Sequence, residues 1–206
     1  AVACKFRNNG QTCVCANRIY VQDGIYDAFA EKLAKAVAEL RIGDGLEEGV
    51  QLGPLIHDDA VSKVETHVDD VLSKGGTVLT GGARHNMGSN FYQATVLAGV
   101  TQEMRIAKEE TFGPVAPLFR FKTEEEAISM ANDTIFGLAS YFYSRDIGRV
   151  TRVQEALEYG VVGVNTGIFS TEVAPFGGVK QSGIGREGSR HGLDDYLEMK
   201  YVCLSV

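Results

Sequence analysis

The sequence lacks three features that would each assign it to a class of protein. It has no basic excess: 20 lysines and arginines against 27 aspartates and glutamates give a net charge of −7, which argues against a nucleic-acid partner. No apolar run approaches the roughly 20 residues that span a membrane. No secretory leader is visible either. We therefore expect no membrane association and a cytoplasmic location, with the mitochondrial matrix as the alternative.

Cysteine is also scarce, with four residues among 206. That number is too small for a disulfide framework in a chain of this length. The spacing C-x8-C-x-C of the first three matches no zinc-binding pattern. We predict no metal site, and free thiols in a reducing compartment.

Glycine, by contrast, is abundant, with 24 residues, about 12% against a usual ~7%. The glycines separate segments of helical and of strand periodicity, which alternate along the chain. The predicted helices cover 25–40, 58–73, 147–158 and a segment that starts at 123. The predicted strands cover 18–22, 77–80, 93–97, 115–121, 141–143 and 160–165. This alternation predicts an α/β fold, with a mostly parallel twisted sheet and helices on both faces.

The two ends of the chain differ from its middle. Residues 1–6 resemble the middle of an apolar helix, without a cap or an initiator methionine, which suggests a fragment or a processed product. The character changes again after Gly188, so we predict one domain over 1–188 and a tail over 189–206. Residues 196–206 are strand-like but have no partner strand nearby, so we expect them to pair elsewhere or with another subunit.

The stretch from Phe6 to Cys15 contains the first candidate for chemistry. Gly10 allows a sharp turn, and Cys13 on such a turn can be presented to a substrate. A thiolate attacks carbonyl carbons, so a nucleophilic cysteine needs nearby positive charge or backbone amides. The pattern leaves two interpretations open, a nucleophile and a buried structural cysteine.

A second candidate lies just before the predicted strand 115–121. Pro114 cannot donate to a central ladder and must precede that strand, so Glu110 and Phe112 lie at a loop-to-strand junction. Ligand sites of parallel sheets form on such loops. A carboxylate there can accept hydrogen bonds from sugar hydroxyls, and a ring can support a planar heterocycle. The alternative is a surface carboxylate with a core phenylalanine.

A third candidate is the glycine-rich stretch 170–188. Residues 183–188 fit G-x-G-x-x-G, but a dinucleotide fingerprint needs a preceding strand and an acid about 20 residues later. Only 24 residues, 183–206, remain. We interpret the stretch as a pocket wall. None of the four histidines has a visible partner for a catalytic triad.

Taken together, 10–13, 110–115, 175–183 and the tail 196–202 resemble the aldehyde dehydrogenase superfamily, in order and in spacing. The chain is most similar to its succinate-semialdehyde dehydrogenases. The resemblance implies that Cys13 attacks the aldehyde, giving a thiohemiacetal and then, by hydride transfer to NAD or NADP, a thioester. The resemblance also implies that Glu110 binds the nicotinamide ribose, with Phe112 beside it. It implies that Arg7 and Ser170 bind the substrate carboxylate and that Phe176 lines the pocket.

The resemblance also implies a homo-oligomer, a dimer or a tetramer. The family's dinucleotide-binding half, general base and oxyanion asparagine precede the nucleophile, so we expect them to be absent from this chain, which alone would have no useful turnover. Alternatives remain: glutarate semialdehyde as substrate, a phosphorylating or CoA-dependent dehydrogenase, or a non-catalytic assembly fragment.

Cys15 suggests a further hypothesis, a reversible disulfide with Cys13 that blocks the nucleophile. In a regular strand the Cα atoms of two such residues are about 6.5 to 7 Å apart, at the limit for a disulfide. The loop would therefore have to change locally. The alternative is that Cys15 is a small packed side chain.

Overall fold

The structure is a computed structural model that describes residues 1–88 and 90–206. The helices are α1 (Val2–Phe6), α2 (Tyr26–Ala38), α3 (Asp58–Ser73), α4 (Arg105–Lys108), α5 (Glu124–Asn132) and α6 (Ile147–Ala156). The strands are β1 (Ile19–Gln22), β2 (Thr77–Thr80), β3 (Thr95–Val100), β4 (Val115–Phe121), β5 (Ala139–Phe142) and β6 (Val161–Val164). Within the described residues, no helix combines the length and the apolar character needed to cross a membrane.

The strands form two sheets where the sequence predicted one. The larger sheet has the order β1-β4-β3-β2; its β1/β4 and β4/β3 pairs are parallel, and β2 is antiparallel to β3. The smaller sheet pairs β5 with β6 in parallel. The predicted α/β class with a mostly parallel sheet is confirmed.

Strand β4 shows that both faces of the larger sheet are covered. Its side chains alternate: Val115 and Phe119 pack with α3, whereas Ala116 and Leu118 pack with α2. Valines of α3 and apolar residues of α2 are buried against these faces, and each such side chain contributes about 1.5–3 kcal/mol. The prediction of helices on both faces is therefore confirmed.

Strand β3 begins later than the predicted 93–97. It starts at Thr95, whose N–H donates to the carbonyl of Pro114 at 2.8 Å, and the register pairs Thr95 with Val115. Because Pro114 has no N–H, the ladder between β3 and β4 cannot start earlier. The proline thus fixes the start of both strands.

The tail does not form the predicted strand within this chain. Residues 190–196 form a 3₁₀ helix, and 197–206 form neither helix nor strand. A strand needs a neighbour to receive its hydrogen bonds, and no strand of the described residues pairs with this segment. Pairing with another subunit, and a domain boundary at Gly188, stay predictions.

Candidate active site

The loop that carries Cys13 begins with three residues in the left-handed region. Asn8, Asn9 and Gly10 have φ values of 48°, 58° and 75°. A Cβ atom added to Gly10 would lie 2.1 Å from the carbonyl oxygen of Gly113, far inside van der Waals contact. Only glycine fits here, and its close approach brings the loop against the start of β4.

Cys13 itself lies in a tight turn. The N–H of Cys15 donates to the carbonyl of Thr12 at 2.9 Å, which places Cys13 second in a four-residue turn. Its thiol is free and exposed, whereas Val14 is buried. The backbone N–H of Cys13 donates to no group in the described part of the chain. A thiol and an unpaired amide are thus presented on the same turn.

Side chains of the loop fasten it to the segment after α2. The amide nitrogen of Asn9 donates to the carbonyl of Gly53 at 2.9 Å. The amide oxygen of Gln11 accepts the N–H of Ile56, also at 2.9 Å. Both contacts span more than 40 residues, so the Cys13 loop has a fixed position on the domain.

The segment with Glu110 and Phe112 is bonded to the same loop region. The N–H of Thr111 donates to the side-chain oxygen of Asn17 at 2.9 Å, and the amide nitrogen of Asn17 donates to the carbonyl of Glu109 at 3.1 Å. Glu110 is exposed, and Phe112 is 38% exposed with φ 52°. Both side chains flank the buried Thr111 and are open to a ligand.

Arg7 and Ser170 are each linked to the Cys13 turn through other residues. Arg7 directly follows α1 and is half-buried. Its carbonyl oxygen lies 3.6 Å from the thiol sulfur of Cys15. Exposed Ser170 follows Phe169, which stacks on Tyr141 with ring centres 5.0 Å apart. Tyr141 in turn donates its hydroxyl to the carbonyl of Val14 at 2.8 Å. These links connect the backbone of Arg7 and the neighbour of Ser170 to the segment of Cys13, and binding of the substrate by the two side chains stays a prediction.

Phe176 lies in a different environment. It exchanges two backbone hydrogen bonds with Glu187, of 2.9 and 2.7 Å. It lines a cavity of about 680 Å³ whose described lining includes Leu138, Gly178, Arg186 and Tyr196 and contains neither Cys13 nor the other predicted site residues. A direct contact of Phe176 with the substrate stays a prediction.

Two buried titratable residues near the site were not predicted from the sequence. The first is Lys5 on α1, which is 1% exposed. Burial lowers the pKa of its ammonium group to about 8, although Cys15, Cys4 and Glu110 act in the opposite direction. A signal was present, because Lys5 lies between the apolar residues of α1.

The second is His67, which is fully buried on α3. Its ring bonds to Thr111 and to Glu109, each at 3.0 Å. Burial lowers the pKa of the ring, and the hydrogen bond and charge of Glu109 counteract this. The spacing of His67 from Val64 and Val71 places it on the inward face of α3, a signal that the sequence does contain. Within 1–88 and 90–206, no cluster of acidic, cysteine or histidine side chains could hold a metal ion.

Comparison with known proteins gives consistent results. The profile of the aldehyde dehydrogenase family matches residues 1–202. A succinate-semialdehyde dehydrogenase (NADP(+)) of Escherichia coli K12 is 64% identical over the whole chain, and a glutarate-semialdehyde dehydrogenase of Pseudomonas putida is 66% identical. The chain covers 43% and 42% of their lengths. The crystal structure of a succinate-semialdehyde dehydrogenase from Burkholderia pseudomallei superposes with a TM-score of 0.98 at 63% identity, covering 100% of this chain and 42% of that one.

Proposed function

Because this chain belongs to the aldehyde dehydrogenase family, we propose that the protein oxidises succinate semialdehyde to succinate with Cys13 as nucleophile. The observation that carries the proposal is the turn of Cys13, which exposes a free thiol beside its own unpaired N–H. The chain spans about two fifths of the length of its curated relatives. The proposal therefore concerns the whole protein, with 1–188 as the thiol-bearing domain.

In the proposed reaction, Cys13 forms a covalent bond with the substrate. Its thiolate sulfur bonds to the aldehyde carbon, and the carbonyl oxygen becomes an oxyanion that the N–H of Cys13 can stabilise. A bound nicotinamide dinucleotide would supply the hydride acceptor, and Cys13 would hold the substrate carbon first as the thiohemiacetal and then as the thioester. Water then cleaves the thioester, releasing the acid and restoring the thiol.

The residues around Thr111 fit a nicotinamide dinucleotide. Glu110 presents an exposed carboxylate, an acceptor for ribose hydroxyls, and the exposed ring of Phe112 offers a flat apolar surface. The E. coli relative is named for NADP(+), and both NAD and NADP are candidates here. Glu110 and Phe112 would hold the nicotinamide end beside Cys13.

Arg7 and Ser170 would select for a carboxylate on the aldehyde. A guanidinium group can bind a carboxylate through two parallel hydrogen bonds, and the Ser170 hydroxyl can add a third. In support, the carbonyl of Arg7 accepts from the thiol of Cys15, and Ser170 follows Phe169, which stacks on Tyr141. Phe176 would provide apolar lining for the short carbon chain.

The test is turnover by the whole protein. We expect reduction of NAD or NADP with succinate semialdehyde, and a loss of at least about 1,000-fold in kcat for Cys13→Ala. Cys203→Ala, which removes another exposed thiol, is the matched control and should keep the rate. No turnover of either semialdehyde with either cofactor, or an unchanged rate for Cys13→Ala, would overturn the proposal.

Glutarate semialdehyde is the second candidate substrate. The Pseudomonas putida relative of that name is 66% identical. The two substrates differ by one methylene, which a pocket discriminates by only about 1–3 kcal/mol. Comparing kcat/KM for the two aldehydes decides between them, and the higher value identifies the preferred substrate.

Cys15 would act as a redox partner of Cys13 in this scheme. Its thiol is free, half-buried and two residues from the nucleophile. Activity should fall with peroxide and return with a thiol reductant. In Cys15→Ala the peroxide loss should be irreversible, because Cys13 then has no nearby thiol to protect it from further oxidation. Identical recovery in both proteins would exclude the disulfide.

The tail 189–206 would mediate homo-oligomer formation, as a dimer or a tetramer. Its apolar side chains are largely exposed, with Met199 at 102%, Tyr201 at 89% and Leu204 at 81%. Apolar side chains in such numbers on an exposed segment mark interaction sites.

A further inference from the structure

We propose that His67 is a positioning residue that holds Glu110 and Phe112 in place for the dinucleotide by fixing Thr111 between them. The inference rests on the proposed function, because it concerns the two residues assigned there to the cofactor. The sequence pattern assigns no catalytic or binding role to His67. Three hydrogen bonds support this role: two with the ring of His67 and one with Asn17 hold the irregular segment 109–111.

The first two of these bonds come from the ring of His67. Nδ1 lies 3.0 Å from the hydroxyl of Thr111, and Nε2 lies 3.0 Å from a carboxylate oxygen of Glu109. The imidazole therefore bridges two residues of the segment with its two nitrogens. Arg105 donates two further bonds to Glu109, of 3.0 Å to its other oxygen and 3.3 Å to the same oxygen, which hold that carboxylate in place.

The chemistry of the partners determines how the protons are arranged. An ionised carboxylate can only accept, and His67 and Arg105 hold the pKa of Glu109 below its ordinary value. Nε2 must therefore carry the proton, which leaves Nδ1 of the neutral ring to accept from the hydroxyl of Thr111. All three groups are satisfied in this single arrangement.

The third bond comes from the opposite side. The N–H of Thr111 donates to Asn17 at 2.9 Å, and Asn17 follows Cys13 by four residues. Thr111 is thus held between a side chain of α3 and the chain that carries the nucleophile. Its position sets that of its two neighbours relative to Cys13.

Burial distinguishes the anchor from the residues it positions. Thr111 is 2% exposed, whereas Glu110 and Phe112 on either side are exposed. Phe112 also has φ 52°, a conformation that costs a non-glycine residue energy and persists only where the surroundings enforce it. Packing alone does not account for the imidazole, since the other buried residues of α3 are the valines 61, 64, 68 and 71.

The experiment compares cofactor binding with thiol chemistry in the whole enzyme. We expect His67→Leu to weaken binding of NADH or NADPH, measured by fluorescence titration, by about 10- to 100-fold, because a displacement near 1 Å has effects of that size. The rate at which iodoacetamide alkylates Cys13 and the KM for succinate semialdehyde should change little. His67→Gln, whose amide also provides one donor and one acceptor, should recover most of the affinity.

A second pair of variants covers the case in which His67→Leu does not fold. Thr111→Val removes only the hydroxyl that His67 contacts and should weaken dinucleotide binding in the same way. Its matched control is Thr66→Val on α3. The exposed hydroxyl of Thr66 bonds to the carbonyl of Ser62 in its own helix, so this variant should bind the dinucleotide normally.

The outcomes separate this inference from the proposed function. If the parent enzyme turns over the aldehyde and the folded variants bind the dinucleotide as the parent does, His67 is only structural and the inference is wrong. A lowered Tm with unchanged affinity leads to the same conclusion. If the parent neither binds the dinucleotide nor oxidises the aldehyde, the proposed function fails, and the inference fails with it.

Discussion

The two ends of the chain both have little regular structure, but they differ in how far their side chains are buried. In the first 17 residues, the side chains of Cys4, Lys5, Phe6, Asn9 and Val14 are buried. In the last 18 residues almost every side chain is exposed, large apolar ones included. The first segment finds its contacts within the chain and supports a site. The second exposes apolar surface that only another surface can cover.

The largest expected effect is at Gly10, where the amino-terminal segment meets β4. Gly10→Ala adds a Cβ that would lie 2.1 Å from the carbonyl oxygen of Gly113, at a φ of +75°. Left-handed strain and the forced shift of the backbone together should destabilise the protein by about 4 kcal/mol. Denaturant unfolding measures this difference.

The matched control is Gly45→Ala in an exposed loop. A Cβ there meets nothing within 4 Å, so restricting the unfolded chain should stabilise the protein slightly, by up to about 1 kcal/mol. Equal effects at the two glycines would show that the loop of Cys13 is not held against β4.

The next effect depends on pH and concerns Lys5. Burial lowers the pKa of its ammonium group from 10.5 to about 8, so between those pH values the unfolded chain binds more protons than the folded one. The cost of burying this charge therefore falls, and the free energy of unfolding rises, as the pH increases across that window. Below pH 8 the full cost is present, roughly 3 kcal/mol by the size of the change.

Lys5→Met removes this cost and keeps the bulk of the side chain. We expect the variant to be more stable than the parent by up to about 3 kcal/mol at pH 7, with the advantage disappearing as the pH approaches 10.5. Urea unfolding of both proteins over a pH series gives the difference directly. An advantage that is constant with pH would mean that packing, and not the buried charge, causes it.

The sequence predicts the features of the fold and site that depend on local signals, but not those that depend on contacts between distant residues. The period of apolar residues located α2 and α3, and Pro114 located the start of β4, because both signals are local. The division of the strands into two sheets depends on pairing across the chain, which local signals do not contain. Local patterns indicated Cys13, Glu110 and Phe112 as candidates, but their grouping in one site came from a resemblance, since nothing local shows that Thr111 reaches Asn17. His67 and Lys5 were missed because their partners are distant or their burial contradicts their polarity.

A smaller effect concerns Tyr141, which ties the amino-terminal segment to the smaller sheet. Its hydroxyl donates to the carbonyl of Val14 at 2.8 Å. Tyr141→Phe removes that bond and should cost about 1 kcal/mol of stability in denaturant unfolding. Tyr143→Phe, two residues away and 64% exposed, should be neutral. A neutral Tyr141→Phe would mean that this hydrogen bond does not stabilise the attachment of the amino-terminal segment.

The smallest effect on the fold of the protomer is expected in the tail, where the largest effect on assembly should appear. Tyr201 and Leu204 are 89% and 81% exposed and have few neighbours to lose. The double variant Tyr201→Ser, Leu204→Ser should therefore shift the unfolding free energy of the protomer by no more than about 0.5 kcal/mol.

If the tail covers another subunit, the same variant should lower the mass measured by sedimentation across a concentration series. Lys200→Ser, which changes the residue just before them without removing a large apolar side chain, should leave the mass unchanged. An unchanged mass in the double variant would mean that these exposed side chains are not the contact between subunits, and the contrast between the two ends of the chain would then need another explanation.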